Sequence, residues 1–179
     1  MEADDAAAGD RQRLHDELSR LEEDLLYTEK VHFAAAEAFG RVHLILGLTA
    51  TLASAAAATT LMAGAVPWLS GALALVAALA SGVLTFVKPD KHSSQHSQSG
   101  RALGGLRVQV RQARVVELPS RNAPKNSVEW MEALKKLADR KAEIEGTSPA
   151  TSEWMLRTAR GKIDRGDFEH ASTRSPEVN

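Results

Sequence analysis

The chain has 179 residues, a formal net charge of −1, no cysteine, and 25% charged residues. Without cysteine there is no disulfide, no thiolate metal site and no cysteine nucleophile; an isoelectric point near 6.6 argues against a dedicated nucleic-acid binder, which is usually strongly basic. The mean hydropathy of −0.23 suits a soluble protein, yet it averages two unlike parts, because no Asp, Glu, Lys or Arg falls between Arg41 and Lys88.

Residues 1–9 show no apolar period and read as a disordered N-terminus. From Asp10 a helical pattern begins, and residues 10–41 read as a cytosolic helix leading into the membrane. Leu14, Leu18, Leu21 and Leu25 fall four, three and four apart, on one helix face, with charges between them. The stripe fits packing on a neighbouring helix of the same chain, or a short coiled-coil seam between subunits. The pattern continues through Tyr27, Val31 and Phe33 without proline, and Gly40 and Gly47 are the candidate bends.

Residues 42–87 form an uncharged stretch of 46 residues, long enough for two spans of about 20 residues and a turn. The first span is predicted at about 44–63, rich in Ala and Thr, and the second at about 68–87, richer in Leu and Val. Residues 64–67, Gly-Ala-Val-Pro, make the turn. Pro67 suits a first helical position and Trp68 the membrane interface. A soluble bundle with a buried apolar hairpin is the rival reading, but both helices are apolar on every face. The run starts 41 residues in, behind an acidic arm, unlike a cleaved secretory signal.

Residues 88–166 read as a cytosolic helical region. It opens with Lys88-Pro89-Asp90-Lys91 and a polar Ser-rich linker, His92 to Ser99. A helix over 100–118 puts Leu103, Leu106 and Val110 on one face and Arg107, Arg111 and Arg114 on another. Pro119 to Asn126 is a loop. Ser127 is a predicted N-cap for a helix carrying Trp130, Leu134, Leu137 and Ile144 and ending at Gly146. A last helix carries Trp154, Ala159 and Ile163, and residues 167–179 read as a flexible tail. The predicted fold class is all-α: a two-helix transmembrane hairpin whose N-terminal and C-terminal cytosolic helices pack as a bundle.

The bases flank the outer ends of the hairpin and none sits in the turn, so both termini are expected in the cytoplasm, on the inner (plasma) membrane. Residues 1–41 hold eleven acids against five bases, and residues 88–118 six bases against two acids. The Arg107, Arg111 and Arg114 stripe therefore has two candidate partners, the acidic arm or anionic lipid headgroups.

Chemistry-bearing motifs are few. His92 and His96 share a helical spacing used by metal ligands, but only Asp90 lies near, and a zinc site needs three or four ligands. Gly-rich GRALGG lacks the spacing and lysine of a phosphate loop, and no catalytic constellation stands out. No cofactor, metal or enzymatic activity is expected. The spans instead carry small residues every four positions: Gly47, Thr51, Ala55 and Thr59 on the first, Ser70, Ala74, Ala78 and Gly82 on the second. They suit either packing within the hairpin or oligomerisation, with the hydroxyl-rich first span facing other subunits or a pore.

The order of parts, with Lys30 and His32 before the spans, the segment RKAEIEGTSPATSEW (140–154) and the segment KIDRG (162–166), resembles the SLATT family of two-transmembrane effectors in prokaryotic conflict systems. The resemblance covers roughly residues 10–170. It implies a membrane-perturbing or pore-forming homo-oligomer acting in defence against viruses. It also implies a separately encoded nucleotide-signal synthase or sensor as partner, beside the lipid bilayer itself. The alternative is a membrane-anchored scaffold whose cytosolic helices bind a partner protein, without a pore.

Overall fold

A computed structural model describes residues 2–64, 66–118 and 127–151, and every regular element among them is helical. The helices are α1 (Glu2–Met62), α2 (Pro67–Val87), α3 (Pro89–Gln112) and α4 (Ser127–Thr147). The predicted loop over 119–126, the last helix and the tail lie outside the described residues.

Proline sets two of the boundaries. α1 contains none and runs 61 residues without interruption, through Gly40 and Gly47. It begins at Glu2, where disorder was expected. The run Ala6 to Ala8 consists of the strongest helix former. Gly64 turns the chain at φ +65°, a conformation costly for any residue with a Cβ, and Pro67 opens α2.

Between α2 and α3 there is one residue. Lys88 is left-handed (φ 49°, ψ 59°); its N–H donates to the Leu84 carbonyl at 3.2 Å, closing α2. Its own carbonyl accepts from the N–H groups of Lys91 (3.0 Å) and His92 (3.3 Å), opening α3. Pro89 forces the break, since it lacks the N–H that would continue α2.

His92 to Ser99, expected as a linker, lies inside α3. Tertiary contact overrides the weak helix preference of serine here. The Ser93 hydroxyl donates to the Ala36 carbonyl at 2.7 Å, and His96 and Ser99 are buried.

The chain forms two compact units, Met1–Ala34 with Ser97–Asn179, and Ala35–His96. In the first, Leu18 and Leu25 of α1, Leu103, Leu106 and Val110 of α3, and Trp130 of α4 make the core, with Leu14, Leu21, Leu134, Leu137 and Ile144 packed at its edge. The leucine stripe of α1 is thus occupied within the chain. α3 closes in a π-helical turn, Ala113–Glu117, in which Leu118 N–H reaches the Ala113 carbonyl at 2.9 Å. The wider turn puts Leu118, 8% exposed, on the core face, where α-helical spacing would have brought Glu117.

In the second unit, the end of α1 pairs with α2. Both are long and apolar enough to cross a membrane, yet only 6% and 17% of their most apolar windows are buried. A soluble protein's core helix is mostly covered, so this is the opposite pattern. Leu61, Leu75, Leu79 and Phe86 are exposed, Phe86 to 88%.

Candidate functional site

The hairpin closes along a different set of small residues from the four-residue stripes. Ala53 on α1 and Ser70, Ala77 and Ala80 on α2 are buried, with Leu73 and Leu84 half-buried. On α2 these positions step by three and four, a heptad seam. Near its turn, the Thr60 and Ser70 hydroxyls are 2.8 Å apart and hydrogen-bonded. Small side chains let the two helices approach, which is the usual association device where lipid removes the hydrophobic drive.

A four-residue stripe advances about 40° around the helix at each step, because four residues overshoot one turn of 3.6. It leaves a straight interface after one or two positions. Ser70 therefore lies in the seam, while Ala74 and Ala78 on α2, and Thr51, Ala55 and Thr59 on α1, are exposed. Gly47 and Gly82 are half-buried, with nothing within 4 Å of where a Cβ would stand. Of the eight small residues singled out by spacing, the hairpin's buried seam takes Ser70.

The threonines of the exposed face are satisfied by their own helix. Thr51 donates to the Gly47 carbonyl at 2.9 Å, and Thr59 to those of Ala55 (3.1 Å) and Ala56 (3.0 Å). Such back-bonding lets a hydroxyl face a non-polar surrounding without an unmet hydrogen bond.

In the other unit the arginine stripe meets the acidic arm of the same chain. Arg107 Nε donates to Glu29 Oε2 at 2.8 Å, and Arg114 donates to Glu22 Oε2 through Nη2 at 2.8 Å and Nε at 3.0 Å. Glu22 and Glu29 are seven apart on α1; Arg114 and Arg107 are seven apart, in reverse order, on α3. The pairs are successive rungs of an antiparallel contact. Arg111 points elsewhere: it is exposed and makes no ion pair among the described residues. Lys141 of α4 adds a third link to α1 through Asp24, and also contacts Glu145 at 3.4 Å. Burial opposes the Lys141 charge, but Asp24 first and Glu145 second outweigh it and raise its pKa.

The glycines of GRALGG have a packing role that sequence reasoning missed. A Cβ on Gly100 would stand 3.2 Å from the Phe33 ring, and one on Gly104 3.2 Å from the Glu29 carboxylate. Their spacing of four matches that of Glu29 and Phe33, so α3 lies close on α1 along this face. The signal is a Gly-x-x-x-Gly pattern, Gly100 to Gly104, set in a polar stretch and not in an apolar span.

His92 and His96 both stack on Phe39, at centroid distances of 5.2 and 5.7 Å. Burial, then the neighbouring His92, lowers the His96 pKa. Among the described residues no group of three or more His, Asp or Glu is placed to hold a metal ion. In one unit the arrangement offers an apolar hairpin with exposed small residues, and in the other an ion-paired helical core. No known family profile, curated protein or solved structure is a significant match for the chain.

Proposed function

We propose that the protein is a two-span membrane effector that oligomerises and permeabilises the inner membrane, with both termini in the cytoplasm. The observation that carries this reading is the pattern of exposure on the hairpin, where large apolar side chains face outward and the buried seam is Ala and Ser. A surface of this kind is stable against lipid and costly against water. One hairpin encloses nothing, so permeation requires several copies. The exposed face of Thr51, Ala55 and Thr59 supports close packing of a second hairpin, because it is small and its hydroxyls are already bonded. The resemblance to SLATT effectors adds the setting: a conflict system in which a separately encoded nucleotide-signal synthase or sensor supplies the trigger, and the chain itself is not an enzyme.

The test is membrane potential, followed with a voltage-sensitive dye in cells producing the protein together with its neighbouring genes. Triggering should collapse the potential, and Ala55→Leu, which blocks close approach without touching the seam of the hairpin, should blunt that collapse. An unchanged potential under confirmed triggering would remove the effector reading and leave the membrane-anchored scaffold.

A further inference from the structure

Between the two rungs that hold α3 on α1, Glu29 with Arg107 and Glu22 with Arg114, an acid and a base are left over. Asp24 is engaged by Lys141 of α4. Glu23 on α1 and Arg111 on α3 are exposed, and neither makes an ion pair or a side-chain hydrogen bond among the described residues. Arg111 has apolar company. Val108 and Val115, three before and four after it, lie on the same side of α3, and both are more than half exposed. Arginine set among apolar side chains is a composition that contact surfaces favour.

We propose that this face of α3 docks on α1 of a second copy of the chain, Arg111 against Glu23, so that copies join head to tail through their helical cores. This contact rests on the oligomeric reading above, and it lies in the helical core, not in the hairpin. The rungs supply its register. α1 and α3 run antiparallel, so Arg111, four residues past Arg107, is level with Leu25, four before Glu29. Glu23 is two residues further, about 3 Å along the axis. A copy packed alongside in the same direction presents its Glu23 at that level. The same offset of two residues sets Val108 by Leu26 and Val115 by Ser19 of the neighbour.

The charges select against the symmetric alternative. Two α3 faces meeting about a twofold axis parallel to the helices would set Arg111 against Arg111, and like charges brought together suppress such a pairing. Base against acid uses two different faces instead. The flanking valines shield that pair from water and so strengthen it. Each copy then keeps an α3 face for one neighbour and an α1 face for the other, and a heterologous contact of this kind forms a ring when its rotation closes. A ring of copies is the arrangement that a path enclosed by several hairpins needs.

The absence of cysteine makes the test direct. Two tagged versions of the full chain are produced together in cells, one Ser19→Cys and the other Val115→Cys, both at exposed positions with Glu23 and Arg111 intact. Under mild oxidation the two versions should link to each other at least tenfold more than either links to itself. They should do so by the same margin over Val115→Cys with Asp139→Cys, since Asp139 is exposed on α4. Arg111→Glu in the Val115→Cys version should cut the mixed dimer at least tenfold, and Glu23→Arg in the other version should restore it. A misfolded chain cannot give that restoration. No mixed dimer above the controls overturns the proposal, as does a yield indifferent to charge reversal, or linkage of position 115 to a different protein instead. Membrane potential under triggering is followed in the same cells. If it still collapses when the mixed dimer is absent, the effector reading stands and this contact alone falls.

Discussion

The two stretches of helix α1, one in each unit, follow opposite patterns of exposure. Before Ala34 its large apolar residues are covered, Leu18 to 1% and Leu25 to 0% exposure, and its outer face is charged. Beyond Arg41 the large residues are exposed, Leu52 to 66% and Leu61 to 70%, and the buried position is Ala53. Backbone geometry does not distinguish the halves; the sequence pattern does. A helix that packs in water hides its bulk, and a helix that packs in lipid hides its small residues, because lipid tails are as apolar as leucine and only close approach is gained.

The widest gap between the two regimes is in core truncation. Leu25→Ala removes a fully buried side chain and should cost about 2–5 kcal/mol of stability. Leu79→Ala, at a position 63% exposed, should leave thermal unfolding in detergent within about 0.5 kcal/mol of the parent. Equal losses would mean the hairpin hides its bulk after all. The charged rungs come next. Glu29 and Arg107 side chains are only 9% and 24% exposed, so Glu29→Ala strands a partly buried guanidinium. The loss should be roughly 2 kcal/mol, less than for a fully buried pair because Arg107 keeps some water. Glu17→Ala, which breaks a pair exposed to 54% and 78%, should change stability by under about 0.5 kcal/mol. Chemical denaturation of the four variants decides the order.

Much of this was legible in the sequence. The charge-free stretch between Arg41 and Lys88 marked the apolar helices, and Gly64 and Pro67 the turn, because those residues act through local backbone preference. Leu103, Leu106 and Val110 announced a buried face by their period. Three features were not legible. The helical state of His92 to Ser99 depends on contacts such as Ser93 to the Ala36 carbonyl, 57 residues away. The π-helical turn at Ala113–Glu117 resolves a register conflict visible only once Leu118 is seen to be buried. The hairpin's own seam steps by three and four along α2, whereas the stripe every four residues that stands out in sequence winds around the helix in space.

Adjacent glycines give a smaller contrast. Gly104→Ala pushes a Cβ to 3.2 Å from a carboxylate that Arg107 holds in place, and should destabilise the protein by about 1 kcal/mol. Gly105→Ala meets nothing within 4 Å on an exposed face, and should stabilise it by up to about 1 kcal/mol through helix propensity. Thermal unfolding of the two single variants should therefore shift in opposite directions.

The smallest effects are those of pH. The His96 pKa is lowered from 6.5, so as pH falls through 6.5 the unfolded chain takes up the proton first and stability declines toward the lower folded value. The Lys141 pKa is raised above 10.5, so its contribution is complete below 10.5 and is lost as pH climbs through the folded value. Unfolding midpoints across pH 5 to 8 should slope less for His96→Asn than for the parent, and those above pH 10 less for Lys141→Met.

Accessibility to a membrane-impermeant maleimide tests the central claim most directly, and the cysteine-free chain needs no background correction. Single cysteines at Ile45, Leu52, Leu75 and Leu79, all more than half exposed on the isolated protein, are introduced in the full chain within intact cells. Asp139→Cys reports the helical core. The account predicts that the four hairpin positions stay unlabelled until detergent is added, and that Asp139→Cys labels only when the inner membrane is opened. Rapid labelling of Leu75→Cys or Leu79→Cys in intact bilayers, without detergent, would contradict it.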